Sequence, residues 1–200
     1  VFEYHSSDFD GNQKIRDLLN EVGLTDHERI LKSFPHELSG GMLQRIMIAM
    51  SLLLDPELLI ADEPTTALDV TVQAQIMSLI VRLCKERKMS VLLISHNISL
   101  MAQYADRISV MYAGQIVESN DMVPFLENPF HPYSRGLMRA IPTLDQENNQ
   151  ITSIRGQVPE PGKYPRGCRF KDRCSDATEQ CLDEVPEKIS QNKGKYRCHY

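Results

Sequence analysis

Asp62 and Glu63 stand side by side where an apolar run, Leu58-Leu59-Ile60-Ala61, gives out. An apolar strand ending in adjacent acids delivers both carboxylates to the carboxyl edge of a parallel sheet, where open α/β folds bind ligands. Paired acids in that place suit nucleotide hydrolysis. The first can hold Mg²⁺, usually through water, because Mg²⁺ takes oxygen ligands and keeps its hydration. The second can orient or deprotonate an attacking water. Taken alone, the pattern is better read as a strand whose exit is merely acidic and solvated, because an apolar run followed by two acids is common.

Other groups bear on the same chemistry. Upstream, Leu38-Ser39-Gly40-Gly41-Met42-Leu43-Gln44-Arg45 opens a helical pattern on Ser-Gly-Gly. Backbone N–H groups there are exposed with no Cβ in the way, and the helix dipole favours an anion. An ordinary capped helix after a glycine turn is the plain alternative. Directly after the acids, Thr65-Thr66-Ala67-Leu68-Asp69 makes a tight loop. A second apolar run, Val91 to Ile94, ends in Ser95-His96-Asn97 and carries an imidazole toward the same edge. A lone histidine at a strand end is more often incidental than catalytic.

These groups need elements to hold them. Ile15, Leu18, Leu19 and Val22 recur at the spacing of one helical face, which predicts a helix over Asn12 to Val22 stopped by Gly23. A second helix is expected from Asp26 to Phe34, and a third from Ser39, its N-cap, to Leu54 before Pro56. Strands are expected at Leu58–Ala61, Val91–Ile94 and Ile108–Tyr112, with helices over Val72–Lys88 and Ile98–Tyr104 between them. Ala113-Gly114 turns into a hairpin partner over Gln115–Glu118. Alternation of this kind predicts an α/β architecture with a mainly parallel sheet. Further helices are expected over Asp121–Glu127 and after Pro132; from Pro142 onward Pro, Gly, Asn and Gln dominate and predict a loop-rich appendage with a thin core.

Composition narrows the function class. Apolar residues make up 42% of the 200 residues and charged ones 24%, which suits a globular protein with a real core. With 22 basic against 27 acidic residues and a net charge of -5, the chain lacks the basic excess of a nucleic-acid binder. The longest apolar stretch, Ile46 to Leu54, is about half of what a membrane span requires. Val1 to Gly11 is polar and acidic, without the apolar region of a signal peptide, so an intracellular protein is expected. An opening Val1 rather than a methionine fits a truncated chain.

Cys84 falls on the apolar side of its helix and reads as a core residue. Cys168, Cys174, Cys181 and Cys198 crowd into the end of the chain. Such a group means disulfides in a secreted protein and a metal or cluster site in a cytosolic one. Thiolates suit both an iron–sulfur cluster and tetrahedral Zn²⁺. The spacing lacks the C-x2-C pairs of most zinc sites, whereas His199 beside Cys198 keeps zinc open. A segment so poor in apolar residues needs a staple, and a structural metal there is expected to order the tail against a neighbouring subunit.

The order of these motifs resembles the ATP-binding-cassette (ABC) family over about residues 12 to 120: its signature sequence at Leu38–Arg45, its Walker B strand ending in Asp62 and Glu63, its D-loop at Thr65–Asp69 and its switch histidine, His96. Asn128-Pro129-Phe130-His131-Pro132-Tyr133, the helix behind it and Ala140-Ile141-Pro142 resemble the C-terminal extension of the oligopeptide, dipeptide and nickel importers. The resemblance implies a partial ABC-type P-loop NTPase fold. It would comprise a helical signature subdomain over 1–54, a catalytic α/β core over 55–120 and the extension over 121–200. It implies ATP and Mg²⁺ as cofactors, with Asp62 holding Mg²⁺ through water, Glu63 polarising the hydrolytic water and His96 contacting the γ-phosphate. Ser39, Gly40 and Gly41 would bind the γ-phosphate held by a partner subunit, and Asp69 would cross the dimer interface. Some members hold a 4Fe-4S cluster on tail cysteines spaced like these, with Zn²⁺ as the alternative.

The implied partners are a second ATPase subunit, transmembrane permeases and, indirectly, an extracytoplasmic substrate-binding protein, at the cytoplasmic face of the plasma membrane. The sequence departs from the family pattern at Met42, Leu43 and Asn97, and no G-x-x-x-x-G-K-[ST] phosphate loop occurs in it. The family's first strands and Walker A loop are therefore expected outside the chain, which by itself should bind ATP weakly and not turn it over. A cassette of soluble duties, or a non-catalytic remnant, are the competing readings.

Overall fold

The computed structural model describes residues 11–141, 153–191 and 194–199. Val1 to Asp10 and Pro142 lie outside the described residues. The chain divides into two compact units, Val1–His96 and Asn97–Tyr200.

The first unit is built on helices Gly11–Glu21, His27–Lys32, Gly40–Ser51 and Val70–Arg87. Leu18, Leu19 and Val22 are buried on the first, Ile48, Ala49 and Leu52 at the third, and Ile76, Met77, Ile80 and Leu83 on the last. The apolar spacing of each helix thus becomes its inward face. Ser39 and Asp69 cap their helices through their side chains, accepting the N–H groups of Met42 and Val72 at 3.3 and 2.9 Å. The third helix ends at Ser51, three residues before the expected Leu54. Asp55, before Pro56, takes a left-handed φ of 47° while Lys14 and Arg87 hold its carboxylate, so the chain turns early.

Strands β1 (Leu58–Asp62) and β2 (Ser90–Ile94) pair in parallel, with Asp62 opposite Ile94. Leu59 and Ala61 are buried, but Leu58, Ile60, Leu92 and Ile94 are exposed among the described residues. The strands therefore bury one face, where the apolar runs suggest two.

In the second unit β3 (Arg107–Tyr112) and β4 (Gln115–Asp121) form an antiparallel hairpin with a bulge at Val110/Met111. Its turn residues, Ala113 and Gly114, both have positive φ, as a two-residue primed turn demands. Strands β5 (Lys188–Gln191) and β6 (Gly194–Arg197) extend this sheet in the order β3-β4-β6-β5. Among the described residues the parallel pairing expected from strand–helix alternation is that of β1 with β2, and the tail, expected to be loop-rich, contributes two strands.

The tail also supplies a core residue. Phe170 packs into the cluster of Ile108, Val110, Tyr112, Val117, Met122 and Phe125, with Tyr112 edge-on at 5.1 Å between ring centroids. Beneath it lies a buried polar clasp. Glu118, 1% exposed, accepts the backbone N–H groups of Phe130 and His131, both at 2.9 Å. Asn128-Pro129-Phe130-His131-Pro132-Tyr133 is thereby pinned to β4 just before helix Pro132–Arg139 begins.

Candidate functional site

β1 ends at Asp62, and the chain then leaves the extended region: Glu63 holds φ at 47°, a left-handed value that a non-glycine residue adopts only where its surroundings enforce it. Two sets of hydrogen bonds do so. The Glu63 N–H donates to the carbonyl of Ile94 at 2.9 Å, joining the exit of β1 to that of β2. Its side chain reaches across the same exit. Oε1 accepts the His96 backbone N–H at 3.0 Å and bonds His96 Nδ1 at 2.7 Å, while Oε2 accepts the Thr66 hydroxyl at 3.2 Å.

An ionised carboxylate only accepts, so Nδ1 carries the imidazole proton in this pair and Nε2 faces away from it. The His96 hydrogen bond, ahead of smaller contributions from its backbone N–H, its charge and Thr66, holds the Glu63 carboxyl below the usual glutamate value. Glu63 is therefore ionised at neutral pH. The imidazole itself stays open to solvent, its side chain 84% exposed, as a group meant to meet a ligand would be. Asp62, also exposed, offers carboxylate oxygens at the adjoining strand end; such a donor set fits hydrated Mg²⁺ rather than a soft metal.

The glycines of the Ser39–Gly41 start lie close against the loop that follows Glu63. A Cβ on Gly40 would approach Leu68 to 3.2 Å, and one on Gly41 would press on Val72 at 2.9 Å. Small residues here let the helix start lie against the Thr65–Asp69 loop of the same chain, and its first N–H groups have no intrahelical partner. Sequence reasoning missed two residues of this arrangement. Thr66 touches Glu63, and the Gln73 amide donates to the carbonyls of Thr65 and Leu68. A hydroxyl three residues after the acid was the available signal for Thr66; Gln73 offers none without coordinates.

The cysteine expectation is corrected. Among the described residues no group of three or more His, Cys, Asp or Glu side chains is placed to hold a metal, so neither a 4Fe-4S cluster nor Zn²⁺ is supported at Cys168, Cys174, Cys181 and Cys198. Burial pushes the Cys168 thiol up and that of Cys174 up to about 11. Cys168 and Cys174 pack as small apolar groups around the Phe170 cluster, and Cys181 Sγ receives the Thr178 N–H at 3.5 Å.

Arginines do the stapling instead. Arg173 donates to the carbonyls of Arg155 and Ile154 at 2.9 and 3.1 Å. Arg169 donates to the Ala113 carbonyl and lies 4.0 Å over the Tyr164 ring. Arg173→Ala is accordingly expected to destabilise the second unit by about 2–3 kcal/mol in urea unfolding, and Cys174→Ala by about 1 kcal/mol. A chelator should leave the wild-type midpoint where it is; a marked fall would reverse the correction.

Known proteins are similar to this chain. A family model described as "ABC transporter" matches residues 3–66, and one described as "Oligopeptide/dipeptide transporter, C-terminal region" matches residues 117–181. The oligopeptide transport ATP-binding protein AppD of Bacillus subtilis is 45% identical over 190 residues, which cover 94% of this chain and 58% of the relative. For the dipeptide transport ATP-binding protein DppD of Escherichia coli the identity is 47% over 191 residues, again 94% and 58%. The chain thus spans a little over half the length of these relatives. Among solved structures, cbiO1 from Clostridium perfringens, part of the ABC transporter complex cbiONQ, superposes with a TM-score of 0.55 at 29% identity over 63% of this chain and 49% of its own. The post-hydrolysis dimer of the ATP-binding cassette MJ0796, bound to ADP and Pi, gives a TM-score of 0.51 at 27% identity, with 60% and 52% covered.

Proposed function

The chain belongs to the ATP-binding subunits of ABC transporters, in the oligopeptide/dipeptide group, and from that premise we propose that its protein hydrolyses ATP to drive the import of peptides. The observation that carries the reading is the Glu63–His96 pair. A carboxylate kept ionised at the exit of β1 is bonded to an imidazole that leaves its second nitrogen toward solvent.

In this reading Glu63 orients and polarises the attacking water, and its low proton affinity suits positioning more than outright deprotonation. His96, oriented by Glu63 through Nδ1, meets the γ-phosphate with Nε2. Mg²⁺, when bound with ATP, neutralises charge on the phosphate oxygens, and Asp62 holds it through water. Ser39, Gly40 and Gly41 present helix N-terminal N–H groups to the γ-phosphate of ATP on a partner ATPase subunit, with Asp69 at the same dimer interface. The glycine contacts with Leu68 and Val72 support this, because they join that helix start to the loop leaving Glu63 and to the helix after it.

Among the described residues no helix is long and apolar enough to cross a membrane. Membrane attachment in this reading is peripheral, through permease subunits at the cytoplasmic face, with an extracytoplasmic binding protein delivering substrate to them. Peptides are favoured over nickel because the similar proteins carry oligopeptide and dipeptide transport in their names. The test is reconstitution of the full-length ATPase with its permeases and binding protein in vesicles. ATP hydrolysis coupled to uptake of a labelled oligopeptide is expected; uptake of nickel without peptide, or no hydrolysis at all, would overturn the reading.

A further inference from the structure

Between the catalytic glutamate and helix Val70–Arg87 the chain makes one short loop, and its shape bears on both ends of the site. Ala67 sits at φ 63°, a conformation that a residue with a Cβ does not keep unaided. The loop's own backbone closes two turns, the Thr66 N–H on the Glu63 carbonyl at 3.1 Å and the Leu68 N–H on the Thr65 carbonyl at 3.3 Å. Further support for both of its ends comes from one side chain. The Gln73 Nε2 group, in the first turns of the helix, donates to the Thr65 carbonyl at 3.2 Å and to the Leu68 carbonyl at 3.0 Å. A primary amide has two hydrogens, and both are used on the two carbonyls that bracket the loop.

What the loop touches gives this clamp its meaning. On one side Thr66 donates its hydroxyl to Glu63 Oε2 at 3.2 Å. On the other Leu68 lies against Gly40 at the start of the Ser39–Gly41 helix. Asp69 fixes the loop exit by accepting the Val72 N–H. We propose that Gln73 is a positioning residue for hydrolysis. By clamping Thr65 and Leu68 it holds Thr66 on the glutamate and Leu68 on the signature helix, so that one amide ties the water-orienting carboxylate to the phosphate-binding helix start. The proposal rests on the ATPase reading above and adds a residue that acts on the site through the loop.

The experiment uses the full-length ATPase assembled with its partners. Gln73→Ala removes both donors, and Gln73→Glu, nearly isosteric, puts acceptor oxygens against two carbonyls. Each is expected to lower kcat for ATP hydrolysis about tenfold while KM for ATP moves less than about twofold. Gln73→Lys keeps N–H donors on a stem of similar reach and is expected to recover to within about threefold of wild type. Thermal midpoints of all three should stay within about 4 °C of one another. In a double-mutant cycle, Gln73→Ala and Thr66→Val should be non-additive, because both act on Glu63 through one loop.

Wild-type kcat in the Ala and Glu variants would overturn the proposal. So would full additivity with Thr66→Val, or an equal loss in Gln73→Lys that follows the melting temperature. A wild-type complex that turns over no ATP overturns the underlying function as well, and so is told apart from failure of the clamp alone.

Discussion

Replacing Glu63 by Gln is expected to cut kcat for ATP hydrolysis by about 10²–10³-fold in the assembled full-length ATPase, with KM for ATP held within about twofold. The substitution keeps the shape and one acceptor oxygen for the His96 N–H, so the strand exit stays closed. It removes the negative charge that polarises water and keeps the proton on His96 Nδ1. A lesser effect is expected from Thr66→Val, which deletes one hydrogen bond to Oε2 and leaves the two His96 contacts at Oε1 in place. The acid side of the profile follows from the direction of the Glu63 shift. Because His96 holds the carboxyl below its ordinary value, protonation of Glu63 should not limit the rate until the pH drops beneath the usual glutamate range. Rates are to be measured at saturating ATP. Turnover of Glu63→Gln within tenfold of wild type would remove Glu63 from the catalytic role.

Legibility in the sequence follows the range of the interaction. β1, β2 and the helices of the first unit are written in local periodicity, and Ser39 and Gly114 mark a cap and a turn through local chemistry that acts within three or four residues. The Asp62-Glu63 pair and His96 could be read together because each stands at a strand exit, and parallel neighbours must bring their exits to one edge. Residues whose role depends on distant backbone were not legible. Gln73 looks like any polar residue early in a helix until the carbonyls of Thr65 and Leu68 are seen beneath its amide. Glu118 reads as a solvated strand residue, yet the loop twelve residues on delivers two N–H groups that make a buried carboxylate tolerable.

The cysteines show the opposite failure. Spacing along the chain identifies thiols that could converge on a metal, but ligation needs three or more donors placed around one point, and that placement is set by the fold rather than by spacing. Phe170, next to Arg169 and Lys171, gave little sign of being the tail's anchor, and the β5–β6 hairpin pairs with β4 across more than sixty residues of sequence. Composition made the tail look coreless. In fact it borrows the core of β3 and β4, and the two arginines that close it act on carbonyls, which every sequence has.

Beside that borrowed core lies the most deeply buried histidine among the described residues, and it sets the second large expectation. The second unit should lose about 3 kcal/mol of stability between pH 7 and pH 4 through His131 alone. His131 is 1% exposed; its Nδ1 accepts the Tyr133 N–H at 3.0 Å and so caps helix Pro132–Arg139. Burial, with a smaller push from the Arg135 charge, lowers its pKa to about 4. A proton on Nδ1 would set one donor against another and uncap the helix. The unfolded chain, in contrast, takes up this proton near the ordinary histidine value of about 6.5.

Between those two values the unfolded state binds more protons, so the stability present above about pH 6.5 drains away as the pH falls toward 4. His131→Asn isolates the effect, since asparagine caps helices well and does not titrate. The variant should be less stable than wild type at pH 7, because a smaller side chain leaves a gap beside Phe170, yet its urea midpoint should fall less steeply from pH 6.5 to 4. Parallel pH profiles for the two proteins would show that the cap tolerates the protonated ring, and that the acid sensitivity of this unit lies with its carboxylates.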